Sequence, residues 1–328
     1  MQKTIGDIVR FQDERLFEGA VSLDWIKKNP EKAEKAAAAF VFHGPTYHGV
    51  TQDEINAAHG HQLQDTASFT HSILRSCIGL SEKPFTLAIA GYGTGKSHLA
   101  LTLAELLGNP GSPTSETILQ GLKNADSTLG SRIKKLVGDM GKPCLVLSLN
   151  GMENYDLTAE ISRQILDLVK KRGADTGPMD NLRPRFKEAA SRVEIMASKP
   201  ELEKELLECA DLPDTESILN RLELQDEQIY EALSPLFEQK GLRISVHGGE
   251  SLKDLIDVVC KEYCGNEASM PFSSLLVLFD EFGRYAEFAT MKRQIAGSGV
   301  LQHLFEGIQS NSDKATFVGF TLTLHKNI

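Results

Sequence analysis

The stretch Ala90-Gly91-Tyr92-Gly93-Thr94-Gly95-Lys96-Ser97 constrains this chain more than any other part of its 328 residues. It follows the apolar run Phe85 to Ala90 (FTLAIA), which suits a buried parallel strand, and it opens a helix predicted over Gly95 to Leu107. Gly91, Gly93 and Gly95 permit backbone conformations closed to other residues and let N–H groups approach an anion. The helix start aims its positive dipole end at the same place. The pattern is G-x-x-x-x-G-K-[ST] with Ala90 in the first position, a mild departure because the geometry depends more on Gly95 and Lys96. Lys96 is expected to reach the β- and γ-phosphates of a nucleotide, and Ser97 to place its hydroxyl on Mg²⁺. His98 is counted with the nucleotide-binding set, as a packing or capping residue rather than a catalyst. The competing explanation is a glycine-rich turn that merely joins strand to helix.

A second apolar run, Leu275 to Phe279 (LLVLF), ends in Asp280 and Glu281. A buried strand finishes at the carboxyl edge of a parallel sheet, where open α/β folds bind ligands, so it would deliver both acids beside the loop. Asp280 is expected to hold Mg²⁺, and Glu281 to polarise an attacking water as general base, with Lys96 as the other catalytic group. Taken alone, the two acids would only mark a solvated strand end. Cys144 to Leu149 and Thr316 to Thr321 supply two more strands. Thr321, Thr323 and, with a weaker claim, Asn150 are polar residues at the same edge. Arg284 and Arg293 follow the acids on a predicted helix, where a solvated face competes with a role in charge stabilisation.

Apolar strands alternating with helices predict an α/β fold: a mainly parallel sheet with helices on both faces. Residues 1–63 read as an irregular N-terminal segment punctuated by glycines, with Trp25 and the HGPTYHG stretch as incidental loop features. Residues 64–156 hold the first part of the core, beginning with a helix over Asp65 to Ile78, and residues 265–328 hold the second. Between them, residues 157–264 form a long helical excursion, read as an insertion and divided by Pro184, Pro200, Pro213 and Pro235. Its first helix carries Ile161, Ile165, Leu166, Leu168 and Val169 on one face.

The N-terminus lacks the apolar stretch of a signal peptide, and no run approaches the roughly 18 apolar residues of a membrane helix, which predicts a cytoplasmic chain without membrane contact. Five cysteines at scattered spacings fit reduced, mostly buried thiols; Cys260 and Cys264 lack the two further ligands zinc needs. The net charge of −10 gives no support to whole-surface DNA binding, although twelve acids against four bases in residues 199–240 account for most of it. DNA contact through a local groove stays open.

The segment GYGTGKSHLALTLAELL resembles the phosphate loop of AAA-type ATPases of the replication-initiator and helicase-loader kind. LLVLFDEFGRY resembles the acidic-strand regions of large bacterial ATPases from phage-defence islands, such as BREX-like and phosphorothioation-dependent restriction systems. The likeness covers residues 65–107 and 270–323. It implies a P-loop NTPase of the additional-strand group, in which a Glu directly after the metal-binding Asp is the rule. ATP is then favoured over GTP, and Thr321 or Thr323 becomes a sensor of the γ-phosphate. It also implies protein partners or a homo-oligomer, a possible arginine finger, and a complex acting on foreign DNA. The chain stops at Ile328 without the helical lid usual in AAA modules, which reads as part of something longer or a truncated gene product. An ATPase driving conformational change is the first expectation. A nucleotide-dependent switch or scaffold with little turnover is the second, and a small-molecule kinase would need an acceptor pocket that nothing in the sequence marks.

Overall fold

The structure, a computed structural model, describes residues 20–45, 64–81, 83–244, 251–297 and 299–322. Four short apolar runs form strands: β1 (Phe85–Ala90), β2 (Leu145–Asn150), β3 (Leu275–Asp280) and β4 (Ala315–Leu322). They make one sheet, all parallel, in the order β1-β4-β3-β2. The fold is therefore α/β. The strand feeding the glycine loop and the strand carrying the acids are separated by β4, and all four carboxyl ends lie at one edge. There Asn150 pairs with Asp280 and Ile89 with Thr321.

Helices cover both faces. Ahead of β2 come α1 (Trp25–Lys28), α2 (Pro30–Ala39), α3 (Thr66–Cys77), α4 (Lys96–Gly108), α5 (Pro113–Ala125) and α6 (Ser127–Met140). Residues of α2 to α6 pack with Leu276, Leu278, Val318 and Phe320 from one face of the sheet. After β2 come α7 (Leu157–Lys171) and α8 (Gly177–Leu182), then α9 (Pro184–Ala197), α10 (Pro200–Ala210), α11 (Thr215–Glu223) and α12 (Glu227–Gln239). The chain continues through α13 (Leu252–Glu262) to β3, then α14 (Phe282–Met291), α15 (Arg293–Ala296) and α16 (Val300–Ser310). Side chains of α7, α13 and α16 bury the opposite face with Leu147, Leu149, Val277 and Phe279. Helices α9 to α12 close a separate core around Phe186, Val193, Leu206, Leu233 and Phe237. Buried Gln225 joins the two, accepting from Ser162 Oγ at 2.7 Å and donating to the Met179 carbonyl at 3.2 Å.

Two expectations are corrected. The segment before residue 64 contains α2, which begins with Asn29 as cap and Pro30 at its first turn. Its buried side chains are Ala33, Ala36 and Ala37, so no large apolar residues mark its period. Pro235 does not divide two helices but lies inside α12. The packing of Leu233, Leu236 and Phe237 around it offsets the lost backbone hydrogen bond. Among the described residues no helix is long and apolar enough to cross a membrane. Cys77, Cys144, Cys260 and Cys264 are buried free thiols, and Cys209 is exposed.

Candidate functional site

The loop after β1 turns on two glycines, Gly93 (φ +73°) and Gly95 (φ +84°), both in the left-handed region that side chains disfavour. Gly95 is the N-cap of α4, so the unpaired N–H groups of the helix's first turn face the loop. Lys96 folds its ammonium back across that loop, donating to the Ala90 carbonyl at 3.1 Å and the Gly91 carbonyl at 2.7 Å. Thr94 Oγ1 donates to the Gly91 carbonyl at 2.9 Å and braces the turn. Tyr92 projects from the tip, 93% exposed.

Asp280 ends β3 as a buried residue. Its carboxylate accepts from the Glu281 N–H at 3.1 Å, with the Ser97 hydroxyl close by. Burial raises its pKa above the ordinary carboxylate value, and nearby Asp24 pushes the same way. The Ser97 hydroxyl, the Glu281 N–H and the charge of Lys96 oppose that rise. Glu281 sits at φ +52° as the residue before α14, a left-handed conformation rare for a non-glycine and one that turns the chain sharply off the strand. The turn is anchored behind by Phe282, whose ring packs against Phe279 and Phe317.

Two glycines let neighbouring strand ends approach this turn. A Cβ on Gly151 would lie 2.2 Å from the Glu281 carbonyl oxygen. One on Gly283 would lie 2.4 Å from Thr321 Oγ1, which puts Thr321 against the first turn of α14. The fold thus gathers Lys96, Ser97, Asp280, Glu281 and Thr321 at the carboxyl edge of the sheet. Thr323 lies outside the described residues, as do Tyr47, His48 and Gly49 of the HGPTYHG stretch.

Other predicted residues point elsewhere. His98 Nε2 lies 2.6 Å from the Ala36 carbonyl, and its ring meets Phe40 edge-on at 5.0 Å, so it faces α2. A carbonyl can only accept, so Nε2 carries the proton; burial lowers the pKa of this imidazole. Arg284 is exposed with its guanidinium against the Met152 sulfur, and Arg293 is exposed at the start of α15. Trp25 packs on the α2–α6 side beneath the Lys32 ammonium, 4.1 Å from the ring centroid. Sequence reasoning missed Asp24. Its Oδ2 accepts from Asn150 Nδ2 at 2.8 Å, placing a further carboxylate next to Asp280. Asp24 belongs to no motif, and only the fold connects it to the acids.

Ser97 and Asp280 offer hard oxygen donors suited to Mg²⁺. Among the described residues no group of three or more His, Cys, Asp or Glu side chains forms a metal cage. A cation at this pair would therefore complete its shell with water and phosphate oxygens. No protein-family model, curated protein or solved structure matches the chain.

Proposed function

We propose that the chain binds ATP with Mg²⁺ at the loop of Ala90 to Ser97 and hydrolyses it, as an ATPase of the additional-strand group. The observation that carries this reading is the convergence of Lys96, Ser97 and Asp280: the Ser97 hydroxyl and the charge of Lys96, both at the start of α4, act on the buried Asp280 carboxylate. The strand order supports it, because β4 is inserted between the loop strand and the acidic strand.

Each side chain then has a task. Lys96 exchanges the Ala90 and Gly91 carbonyls for β- and γ-phosphate oxygens. The N–H groups around Gly93 and Gly95 cradle the phosphates. Ser97 and Asp280 hold Mg²⁺, which neutralises charge on the phosphate oxygens when bound. Glu281 orients and deprotonates the attacking water, and Thr321 stands near enough to the start of α14 to report on the γ-phosphate. Turnover by such a site drives conformational change in a larger cytoplasmic complex, through protein partners or a homo-oligomer. A DNA-directed defence role extends the same reading.

The test is Mg²⁺-dependent ATP binding and phosphate release by wild type, Lys96→Ala and Glu281→Gln, with and without double-stranded DNA. The expected pattern is turnover by wild type, lost binding in Lys96→Ala, and binding without turnover in Glu281→Gln. A wild type that binds ATP without hydrolysing it is a switch, and one that does not bind ATP refutes the proposal.

A further inference from the structure

The outer edge of β2 contains a slot shaped for a peptide group. β2 is the last strand of the sheet. The Leu145 N–H donates to the Ser274 carbonyl and the Gly151 N–H to the Asp280 carbonyl, each at 2.8 Å. Hydrogen bonding alternates along a parallel strand, so Leu145, Leu147 and Leu149 bond toward β3, and Val146 and Ser148 direct their N–H and C=O groups outward. At Ser148 the protein fills this edge itself. The N–H donates to Gln164 Oε1 at 2.9 Å, and Gln164 Nε2 donates to the carbonyl at 3.0 Å, so a carboxamide takes the place of a neighbouring strand. One step before Val146, the Cys144 N–H donates to the Leu107 carbonyl at 2.8 Å. Val146 lies between these two and has no such partner for its outward pair among the described residues.

A cleft of about 320 Å³ opens at this position. That volume falls within the roughly 300–1,000 Å³ of small-ligand clefts. Its lining includes Val146 and Ser148 of the strand, Glu105 of α4, and Leu168, Lys171 and Arg172 along α7 and its end. Ser148 is 4% exposed, and its Oγ is buried without a hydrogen-bond partner. A buried hydroxyl in that state is destabilising. Lys171 and Arg172 are both exposed at the cleft, with Lys171 shared by Asp167 at 2.8 Å.

We propose that this cleft binds the carboxyl terminus of an extended peptide. The residue before the last turns its own N–H and C=O to the Val146 C=O and N–H as a one-residue strand, and the terminal carboxylate is met by Lys171 and Arg172. A terminus fits better than an internal segment. The edge is open for one residue only, closed by Gln164 on one side and by the end of α4 on the other. The basic pair supplies the charge that only a terminal or acidic group would answer. This site stands apart from the glycine loop and does not depend on nucleotide chemistry.

The probes are acetylated tripeptides varied at their last two positions, titrated without nucleotide into isotope-labelled full-length chain and followed by amide NMR shifts. The expected result is saturable binding that shifts Val146, Ser148 and Gln164. Replacing the terminal carboxylate by carboxamide should weaken binding about tenfold, in line with a hydrogen bond to a charged group. N-methylation of the paired amide should abolish it. Lys171→Ala with Arg172→Ala, both at exposed positions, should weaken the acid forms about tenfold without altering the melting temperature. The proposal is overturned by any of three outcomes: no binding in the millimolar range, shifts elsewhere, or affinities indifferent to the carboxylate and to both basic residues. Because nucleotide is absent, none of these outcomes bears on the ATPase reading.

Discussion

Gly151→Ala tests the geometry of the acidic turn directly. Gly151 follows β2, and its N–H donates to the Asp280 carbonyl at 2.8 Å. A Cβ there would lie 2.2 Å from the Glu281 carbonyl oxygen, 2.8 Å from its carbonyl carbon and 3.2 Å from Tyr285 Cβ. The nearest two are backbone atoms, so rotating a side chain cannot relieve the clash. The gap must open from 2.2 Å to the 3.4 Å of ordinary contact, which moves one strand end by about 1 Å. Overpacking of this kind costs about 1–3 kcal/mol. A displacement of about 1 Å in a reacting group costs on the order of 10²-fold in rate. The variant should therefore show a lower urea midpoint at unchanged slope and turnover reduced on the order of 100-fold, with ATP affinity within a few-fold of wild type. Wild-type midpoint together with wild-type turnover would refute the close approach. A lowered midpoint with full turnover would remove Glu281 from the chemistry.

Four further outcomes follow from the same contacts. Burial raises the Asp280 pKa, so the folded state holds that proton more tightly than the unfolded state, and stability falls as pH rises through the folded value. Asp280→Asn should accordingly raise the melting temperature of the nucleotide-free protein at neutral pH, with the gain shrinking toward pH 4; a pH-independent gain contradicts this. Asp24 pushes the Asp280 pKa up, so Asp24→Asn should move the acid limb of the pH–rate profile to lower pH, and an unmoved limb excludes the coupling. His98 has a lowered pKa from burial, so its contribution to stability is present above the ordinary value of about 6.5 and lost as pH falls through it. Melting curves of His98→Phe should show less acid sensitivity between pH 7 and 5, with ATP affinity unchanged, and a lost affinity would place His98 in the binding site. Gln164→Leu leaves the outward N–H and C=O of Ser148 unpaired and should lower stability by about 2 kcal/mol in urea unfolding; no loss means water replaces the carboxamide freely.

How much of this was legible in the sequence depends on the range of each interaction. The strands β3 and β4 are continuous apolar runs, which a strand buried on both faces requires, and their bounds were readable to within a residue. The bounds of β1 were equally readable, but the buried strand expected there is an edge strand with Leu87 and Ile89 exposed. The glycine loop was readable because its constraint is local: positive φ at Gly93 and Gly95 is a property of those residues alone. Helix α2 was hidden because alanines do its packing. Pro235 misled because local backbone preference yielded to the packing of α12. What stayed invisible were contacts across the sheet edge. Asp24 with Asn150, Gly151 with Glu281 and Gly283 with Thr321 each depend on which strands are neighbours, and side-chain alternation does not encode strand order.

The helical excursion illustrates the same limit at larger scale. Its helices share similar spacing of apolar residues, yet they divide between two cores. α7 and α13 turn Ile161, Ile165, Leu255 and Val259 onto the sheet face that presents Leu147 and Val277. α9 to α12 answer one another, Phe186 and Val193 meeting Leu206, Ile218, Leu233 and Phe237. A helix records in its sequence that one face is buried, but not against what. The junction is marked instead by polar residues that would be costly to bury unpaired. Gln225, at φ +54° and 1% exposed, spends its amide on Ser162 and Met179, and Arg183 and Arg185 both reach Glu227. Such residues appear in the sequence as ordinary surface types on an acidic stretch. The burial of Gln225 is intelligible only once both cores exist, because it leaves the turn between α11 and α12 to meet Ser162 and Met179 beside the other core.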